Sequence, residues 1–386
     1  MLKYIFPFFD TKVQQWAQFA RLLRWLTFLW LLIGLIALFS ASFPVAEAES
    51  GDGLYYFKRQ LIWVWIGLIC LRVVVSNPLS EILIIAPWMV LIILGLILAT
   101  SIPGMGTTVN GATRWLSLGP ILIQPSELIK PFLILQSACL FGKWERLSWN
   151  FRIGWLIIFA TILAGILVQP NLSTTALCGM TIWLMAFAGG LPLRYLGGTA
   201  LLGILTAVTS IRIHEYQWRR VTGFLNPWAD PRGDGYQLVQ SLLAIGSGGF
   251  RGTGFGLSQQ KLFYLPIQYT DFIFAIFAEE FGFLGSVALL IILSVYGTLA
   301  LLVAMKCRDS IQRLVAIGVM IVMVGQSLLN IGVATGSLPT TGLPLPLFSY
   351  GGSSVIASLI SAGLLIRVAR ESNEADVVFL DKRRRQ

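Results

Sequence analysis

Charged side chains are scarce in this sequence. Lys, Arg, Asp and Glu make up 12% of the 386 residues, whereas hydrophobic residues make up 56%, and the mean hydropathy is +0.77. Ordinary soluble domains carry roughly 25% charged residues. No polar stretch between about residues 22 and 369 is long enough to fold as a separate soluble domain. The composition therefore predicts a single membrane-embedded domain over 22–369.

Several functional classes lack their usual sequence signatures. No Walker A loop is present, which excludes a P-loop ATPase and leaves an ion gradient or a pre-activated substrate as the energy source. The single histidine, His214, and four cysteines show no metal-ligand spacing and imply no disulfide framework. The first apolar run is too long for a cleavable signal peptide and has no clear processing site, so we expect an uncleaved anchor.

Long apolar runs recur along the chain. Each is about long enough to cross the hydrocarbon core as a helix, although the fourth is short and the eighth is long enough to tilt. The sequence predicts an all-α, polytopic integral membrane protein with about ten transmembrane helices. The predicted runs are 22–43, 61–76, 82–102, 128–142, 153–169, 173–190, 195–211, 272–305, 313–335 and 353–369.

The distribution of Lys and Arg predicts the orientation. Few basic residues fall in the short segments on one side, whereas the other side and both termini are rich in them, and basic residues favour the cytoplasmic side. We therefore expect a cytoplasmic N-terminal segment, 1–21, a cytoplasmic basic tail, 370–386, and a long extracytoplasmic loop, 212–270. The net charge of +10 is scattered over short loops, which argues against nucleic-acid binding.

Three segments predicted to face outward are rich in Gly and Pro: 103–127, 212–270 and 336–352. The first contains Arg114 beside Trp115, which suits an interfacial anchor or a charge-assisted phosphate contact. Further along that segment, Glu127 and Lys130 are spaced i, i+3. They either form a local ion pair or line a polar cavity, the usual role of ionisable groups within a membrane.

The second segment contains the pair Arg219 and Arg220 and a glycine-dense stretch, 246–256. The glycines suit either an anion cradle or close loop packing. The segment leads into Asp271 at the mouth of the eighth run. Thr270 or Asp271 could cap that helix, where an acceptor side chain satisfies exposed backbone donors.

Two further glutamates, Glu279 and Glu280, lie about 12–13 Å deeper than Asp271 by helical rise. They require partners, for which Lys130 or an arginine of a neighbouring helix would serve. The third segment is uncharged and ends near Ser349 and Tyr350. Its irregular backbone suits a groove for a lipid-bearing substrate or a re-entrant plug.

Taken together, these motifs resemble the SEDS family (shape, elongation, division and sporulation) of peptidoglycan glycosyltransferases. The matching phrases occur in the family's order from about residue 20 to residue 370. The phrase Leu338-Pro-Thr-Thr-Gly-Leu-Pro344 looks more like the FtsW-type division members than the RodA-type elongation members. The other matching motifs are Gly111-Ala-Thr-Arg-Trp115, Gln124-Pro-Ser-Glu-Leu-Ile-Lys130, Gln169-Pro170, Asn226-Pro227, Gly235-Tyr-Gln237, Thr270-Asp-Phe-Ile-Phe-Ala275, Glu279-Glu-Phe-Gly282 and Ser349-Tyr-Gly-Gly-Ser-Ser354.

The sequence departs from the family pattern at a few positions. Ile267 and Tyr269 stand where members often carry an acidic residue and a histidine, and Asn171 and Ser173 replace an aspartate and a glycine. The departures leave Asp271 in place but put in doubt any role for auxiliary acids or a histidine around it.

The resemblance implies polymerisation of lipid II, in which the acceptor 4-hydroxyl attacks the donor's anomeric carbon and undecaprenyl diphosphate leaves. It implies Asp271 as general base, and a carboxylate in that role contributes about 10²–10⁴ in rate. The implied partners are a class B penicillin-binding protein transpeptidase and other divisome proteins, with Mg or Mn as a possible assistant to the diphosphate. The implied substrate-binding residues are Arg114, Glu127, Lys130, Arg219, Arg220, Glu279, Glu280, Ser349 and Tyr350.

Other functions fit the same residues. A lipid II flippase would use intramembrane Glu279, Glu280 and Lys130 in proton coupling. A scaffold would recruit division proteins through its termini and outer loop, and an elongation-type, RodA-like polymerase would share the chemistry. We favour the division-type polymerase because the distinctive carboxylate and the glycine-rich segments converge on one predicted face.

Overall fold

A computed structural model describes residues 16–109, 112–119 and 121–384. Most of the predicted N-terminal segment, 1–21, lies outside the described residues, as do 110, 111 and 120 of the first loop. The described chain is dominated by helices. Their bounds are α1 Gln18–Ser50, α2 Tyr55–Ser76, α3 Leu79–Ala99, α4 Pro125–Gly142, α5 Trp149–Val168, α6 Leu172–Ala188, α7 Leu193–Ile213, α8 Glu215–Leu225, α9 Tyr236–Gly248, α10 Ile273–Lys306, α11 Ser310–Met320, α12 Gln326–Ala334 and α13 Gly352–Arg384.

Each of the ten predicted runs coincides with helix. Among the described residues, eight helices are long and apolar enough to cross a membrane, counting α11, the π-helical turn Ile321–Gly325 and α12 as one continuous segment. The apolar helix α6 has only 17 residues, and α4 carries two charged residues in its first turns. The predicted basic tail continues α13 as helical backbone as far as Arg384.

The segments predicted as loops contain regular structure that the hydrophobic pattern did not reveal. The first holds an antiparallel sheet of three strands in the order β1 Gly106–Val109, β2 Ala112–Leu118 and β3 Ile121–Ile123. The long segment 212–270 holds α8, a 3-10 turn and α9. These helices were missed because short amphipathic helices do not stand out by apolar content, and the extracytoplasmic placement of the segment stays a prediction.

Helix α10 is interrupted where its first turns pack against the glycine-dense stretch. Gly282 has φ +64, and a Cβ at this position would lie 2.2 Å from the backbone nitrogen of Gly252. Gly252 itself has φ +82, and its own Cβ would lie 2.1 Å from the carbonyl oxygen of Glu280. Only glycine tolerates both the left-handed backbone and this approach. These glycines serve close packing between backbones, so the structure favours that interpretation over an anion cradle.

The bundle is packed unevenly around α13. Within their membrane-spanning windows, 83% of α13 residues are buried, against 11% for α7. Helix α13 packs on α1, α2 and α4, whereas α7 contacts mainly α6 and α8. Helix α7 therefore lies at the periphery of the bundle and presents most of its apolar surface outward. The three Gly- and Pro-rich segments meet at one end of the bundle, where Asp271 lies.

We predict that the end of the bundle carrying Asp271 faces away from the cytoplasm. The four cysteines are free thiols, so the test needs a background in which Cys70, Cys139, Cys178 and Cys307 are replaced by Ala or Ser. In that background, Ala229→Cys should react with an impermeant maleimide added to intact cells, whereas Ser148→Cys should react only after permeabilisation. Both test positions are exposed. The reverse labelling pattern would contradict the orientation.

A candidate active site around Asp271

Asp271 lies in the last turn of the loop before α10. That helix begins at Ile273, its N-cap is Phe272, and no side chain makes a cap hydrogen bond there. The capping interpretation of Thr270 or Asp271 is therefore wrong. The main chain of Asp271 is held instead by Asn330, whose Nδ2 donates to the Asp271 carbonyl oxygen over 2.8 Å. The carboxylate is thus left available for chemistry.

Two arginines from different elements approach this carboxylate. Arg114 on β2 donates through Nε to the Gln169 carbonyl oxygen over 2.9 Å, and through Nη2 to the next carbonyl, that of Pro170. These bonds leave Nη1 as the remaining terminal nitrogen. Gly342 lies next to both this nitrogen and the Asp271 carboxylate: a Cβ added to Gly342 would lie 3.9 Å from Arg114 Nη1 and 3.7 Å from Asp271 Oδ2. Arg114 is therefore half-buried beside Asp271, a placement that suits anion binding better than interfacial anchoring.

Arg220 on α8 is the second of these arginines. Its guanidinium stacks on the Tyr216 ring, 4.5 Å from the centroid, and Nη1 donates to the Thr340 carbonyl oxygen over 3.3 Å. The neighbouring Arg219 turns to the exposed side of the helix, where its Nη2 pairs with Glu215 over 2.6 Å. Of the two predicted arginines, the structure thus brings only Arg220 to Asp271.

The surroundings of Asp271 shift its titration upward. Burial raises the pKa of its carboxyl to about 6, although the positive charges of Arg220 and Arg114 and a hydrogen bond from Thr270 act in the opposite direction. Burial likewise lowers the pKa of the Arg114 guanidinium, which nevertheless stays charged at neutral pH. A carboxylate with a pKa near the working pH is well suited to general-base catalysis.

This pKa predicts the pH dependence of activity. If the deprotonated carboxylate is the active form, kcat/KM should rise about tenfold per pH unit below the pKa and level off above about pH 6. Replacing Arg220 by Gln removes the charge that opposes the burial effect, so the acid limb should move to higher pH. The measurement is the initial rate from about pH 4.5 to about pH 8.5 for both proteins. An unmoved limb in the variant would contradict the assignment to Asp271.

The uncharged segment 336–352 forms a wall of the site and meets Asp271 and both arginines. Its residues Leu343, Leu345 and Phe348 are buried, so the segment lies within protein, as irregular backbone at membrane depth must. Ser349 ties it to the Asp271 loop: its Oγ donates to the Thr270 carbonyl oxygen over 2.5 Å and accepts from the Leu345 amide.

Aromatic rings reinforce that junction. The amide of Tyr350 donates to the Tyr269 carbonyl oxygen over 2.9 Å, and both rings pack on Tyr56 of α2, with the Tyr56 and Tyr269 centroids 4.8 Å apart. Tyr269 stands where the resemblance in the sequence led us to expect a histidine. Here it is part of an aromatic cluster beside the site.

The predicted pair Glu127 and Lys130 is a buried ion pair in the first turns of α4. Lys130 Nζ lies 2.6 Å from Glu127 Oε1, and the side chains are each 3% exposed. The ammonium also donates to Gln326 Oε1 over 2.9 Å. Both charges are therefore satisfied within the protein, as buried charges require.

The expected partners of Glu279 and Glu280 were wrong, because Lys130 is already engaged with Glu127. Glu280 pairs with Lys261 over 2.8 Å, and Ser40 on α1 donates to the same Oε1. Glu279 accepts hydrogen bonds from Ser258 Oγ and from the amides of residues 259 and 260. Both glutamates thus anchor the 253–261 loop to α10.

Sequence reasoning missed Lys261 because it stands alone in a glycine-rich loop, 19 residues before its partner. It also missed Gln326 and Asn330. These two are polar side chains inside an apolar helix, which is a usable signal for a functional role within a membrane.

Comparison with known proteins supports the relationship that the motifs indicate. The cell cycle protein family FTSW_RODA_SPOVE matches residues 20–374. The chain belongs to this family. A probable peptidoglycan glycosyltransferase FtsW of Synechocystis sp. is 60% identical over 98% of this chain and 96% of its own length. Stage V sporulation protein E of Bacillus subtilis is 37% identical over 90% of this chain and 96% of its own length.

Solved structures share the fold of this chain. One, described as "Structural coordination of polymerization and crosslinking by a peptidoglycan synthase complex", has a TM-score of 0.71 at 27% identity and covers 91% of this chain and 97% of its own. The rod shape determining protein RodA of Thermus thermophilus has a TM-score of 0.65 at 28% identity, with 90% and 96% covered. The protein is therefore a multi-pass membrane protein of this family.

Proposed function

We propose that the protein is a peptidoglycan glycosyltransferase that polymerises lipid II into glycan strands during septal cell-wall synthesis. The observation that carries the proposal is a half-buried carboxylate, Asp271, flanked by Arg114 and Arg220. Base and anion-binding groups are both needed when a hydroxyl displaces a diphosphate. The similarity to FtsW proteins over nearly the whole chain supports the same activity.

In the proposed reaction, Asp271 accepts the proton of the acceptor's 4-hydroxyl as its oxygen bonds to the donor's anomeric carbon. The bond between that carbon and the diphosphate oxygen breaks, and undecaprenyl diphosphate departs as an anion. Arg114 and Arg220 stabilise the negative charge that develops on the leaving oxygen. The free energy comes from the activated donor, which agrees with the lack of an ATP-binding loop in the sequence.

The arginines carry the positive charge in this mechanism. Among the described residues, no three His, Cys, Asp or Glu side chains are grouped so as to hold a metal ion. An assisting Mg²⁺ or Mn²⁺ would therefore take most of its oxygen ligands from the diphosphate and water.

The proposal includes a partner and a location. We infer that a class B penicillin-binding protein binds this chain and cross-links the strands, which the similarity to a chain of a peptidoglycan synthase complex supports. Both termini are placed in the cytoplasm on the Lys/Arg distribution, and the septum is inferred from the FtsW relatives.

The transport alternative has lost its main support. It relied on ionisable groups within the membrane, yet Lys130 pairs with Glu127, and Lys261 pairs with Glu280. The fold itself accounts for these partnered charges, so they no longer point to proton-coupled transport.

The test uses purified protein, alone and with its cognate transpeptidase, incubated with labelled lipid II. The expected product is a ladder of glycan strands that a muramidase digests to disaccharide units. If no strands form in either condition while the protein stays monodisperse and binds the transpeptidase, the proposed function is wrong.

A further inference from the structure

Two side-chain amides lie on one face of the helix behind the site. Gln326 and Asn330 are four residues apart on α12, a spacing that aligns side chains along a helix. They are 2% and 1% exposed. The π-helical turn Ile321–Gly325 ends directly before Gln326. Such turns insert an extra residue, which rotates the following helix face, and they are frequent at functional sites.

Both amides hold the uncharged segment that faces Asp271. Gln326 Nε2 donates to the Pro344 carbonyl oxygen over 2.6 Å, and Asn330 Nδ2 donates to the preceding carbonyl, that of Leu343, over 2.8 Å. The backbone here is irregular, so its buried carbonyls depend on side-chain donors. Two consecutive peptide groups are thereby fixed from one helix.

Each amide also makes a second contact, and the two contacts lead to different parts of the site. The other N–H of Asn330 Nδ2 donates to the Asp271 carbonyl oxygen over 2.8 Å, and Gln326 Oε1 accepts from Lys130 Nζ. Because both acceptors of Asn330 are carbonyl oxygens, only the NH2 group can face them, so the orientation of this amide is settled by its partners.

We propose that Asn330 and Gln326 are positioning residues for the general base. Asn330 links the main chain of Asp271 to Leu343, whose neighbour Gly342 faces both Asp271 Oδ2 and Arg114 Nη1. It therefore sets the distance between the base and the wall of the site. Gln326 holds the next peptide, and the Glu127–Lys130 pair acts through Gln326 and makes no contact with substrate. This inference rests on the proposed function.

The main test compares Asn330→Ala with Ser327→Ala, a matched control. Ser327 is fully buried on the same helix and donates only within it, to the Met323 carbonyl oxygen over 2.7 Å. We expect Asn330→Ala to lower kcat at least about tenfold with KM for lipid II within about twofold, because small displacements of a catalytic group cost rate rather than binding. The control should keep wild-type kcat within about twofold.

A second measurement on the same pair of variants gives a readout that a purely structural role would not move. Asn330→Ala frees the main chain of residue 271, so the surroundings of its carboxyl change and the acid limb of kcat/KM should move from its wild-type position, whereas the limb of Ser327→Ala should stay in place. If Asn330 only supports folding, Asn330→Ala will show reduced thermal stability and less active protein, with kcat per active molecule and the pH profile unchanged. That outcome would overturn the inference.

The contribution of Gln326 is tested by combination. If Gln326 and Asn330 fix the same segment, the double variant Gln326→Ala/Asn330→Ala should lose less activity than the product of the single losses, since coupled residues are not additive. If the loss of activity in the double variant equals the product of the two single losses, Gln326 and Asn330 do not act on the same segment, and that part of the inference is overturned. Wild-type polymerisation is measured first, so an inactive wild type counts against the proposed function, whereas wild-type kcat in the variants counts against this inference alone.

Discussion

Asp271→Asn is expected to lose at least about 100-fold of the lipid II polymerisation rate, because general-base catalysis contributes about 10²–10⁴ and an amide cannot accept the proton. The substitution keeps the size of the side chain. The hydrogen bond from Asn330 reaches the main chain of residue 271 and is unaffected. Membrane insertion and binding to the transpeptidase should therefore survive.

The pKa of Asp271 also predicts the stability of this variant. Since the folded-state pKa of about 6 is above the ordinary aspartate value of 3.8, the folded protein holds the proton more tightly than the unfolded chain does. That stabilisation is complete below pH 3.8 and is lost as the pH rises through about 6. At about pH 7 the uncharged Asn should thus give an equal or higher Tm in detergent.

Asp230→Asn serves as the control for this experiment. Asp230 is exposed in the same long segment, where its carboxylate accepts from the amides of residues 233 and 234. This variant should retain wild-type polymerisation. An Asp271→Asn protein with wild-type rate would contradict the base assignment, and one with a markedly lower Tm would indicate a structural role.

Arg114→Lys is expected to show the second large effect, a fall in kcat/KM of about tenfold or more, since one ammonium cannot replace the fork of donors. Arg114 uses Nε and Nη2 to bind the carbonyls of residues 169 and 170, which leaves Nη1 for the diphosphate. The single ammonium of a lysine can bind either the two backbone carbonyls or the diphosphate of the substrate, but it cannot bind both.

The matched control for Arg114 is Arg232→Lys, at an exposed position outside the site. Initial rates at several lipid II concentrations separate kcat from KM in both variants. Retention of full kcat/KM by Arg114→Lys would return this arginine to a role as an interfacial anchor.

Most of the helical architecture could be predicted from sequence because membrane crossing is a local property of length and apolarity. The sheet β1–β3 and the helices α8 and α9 could not. Gly and Pro obscure the hairpin, and α8 is too polar and short to register as an apolar run. The break at Gly282 was also invisible, since it depends on contact with Gly252, a residue distant in the chain.

The site was only partly accessible to the same reasoning. Asp271 and Arg114 stand in recognisable motifs, so the resemblance pointed to them, whereas Arg220 was a candidate only as a basic residue in a segment predicted to face outward. The sequence could not tell which of the neighbouring residues Arg219 and Arg220 belongs to the site. That choice depends on which face of α8 contacts residue 340, and only the three-dimensional structure shows this contact. Asn330 contacts Asp271 across 59 positions of sequence, a pairing that no local pattern encodes.

The most direct test of the polymerase assignment measures two quantities in one reconstituted preparation, the undecaprenyl diphosphate released and the glycosidic bonds formed, and compares their amounts. Wild-type protein with its transpeptidase should release one undecaprenyl diphosphate for each bond formed, and Asp271→Asn in parallel should release almost none while binding the transpeptidase normally. Translocation of lipid II across the vesicle membrane by both proteins, with no glycosidic bonds formed by either, would contradict the assignment of this chain as a polymerase.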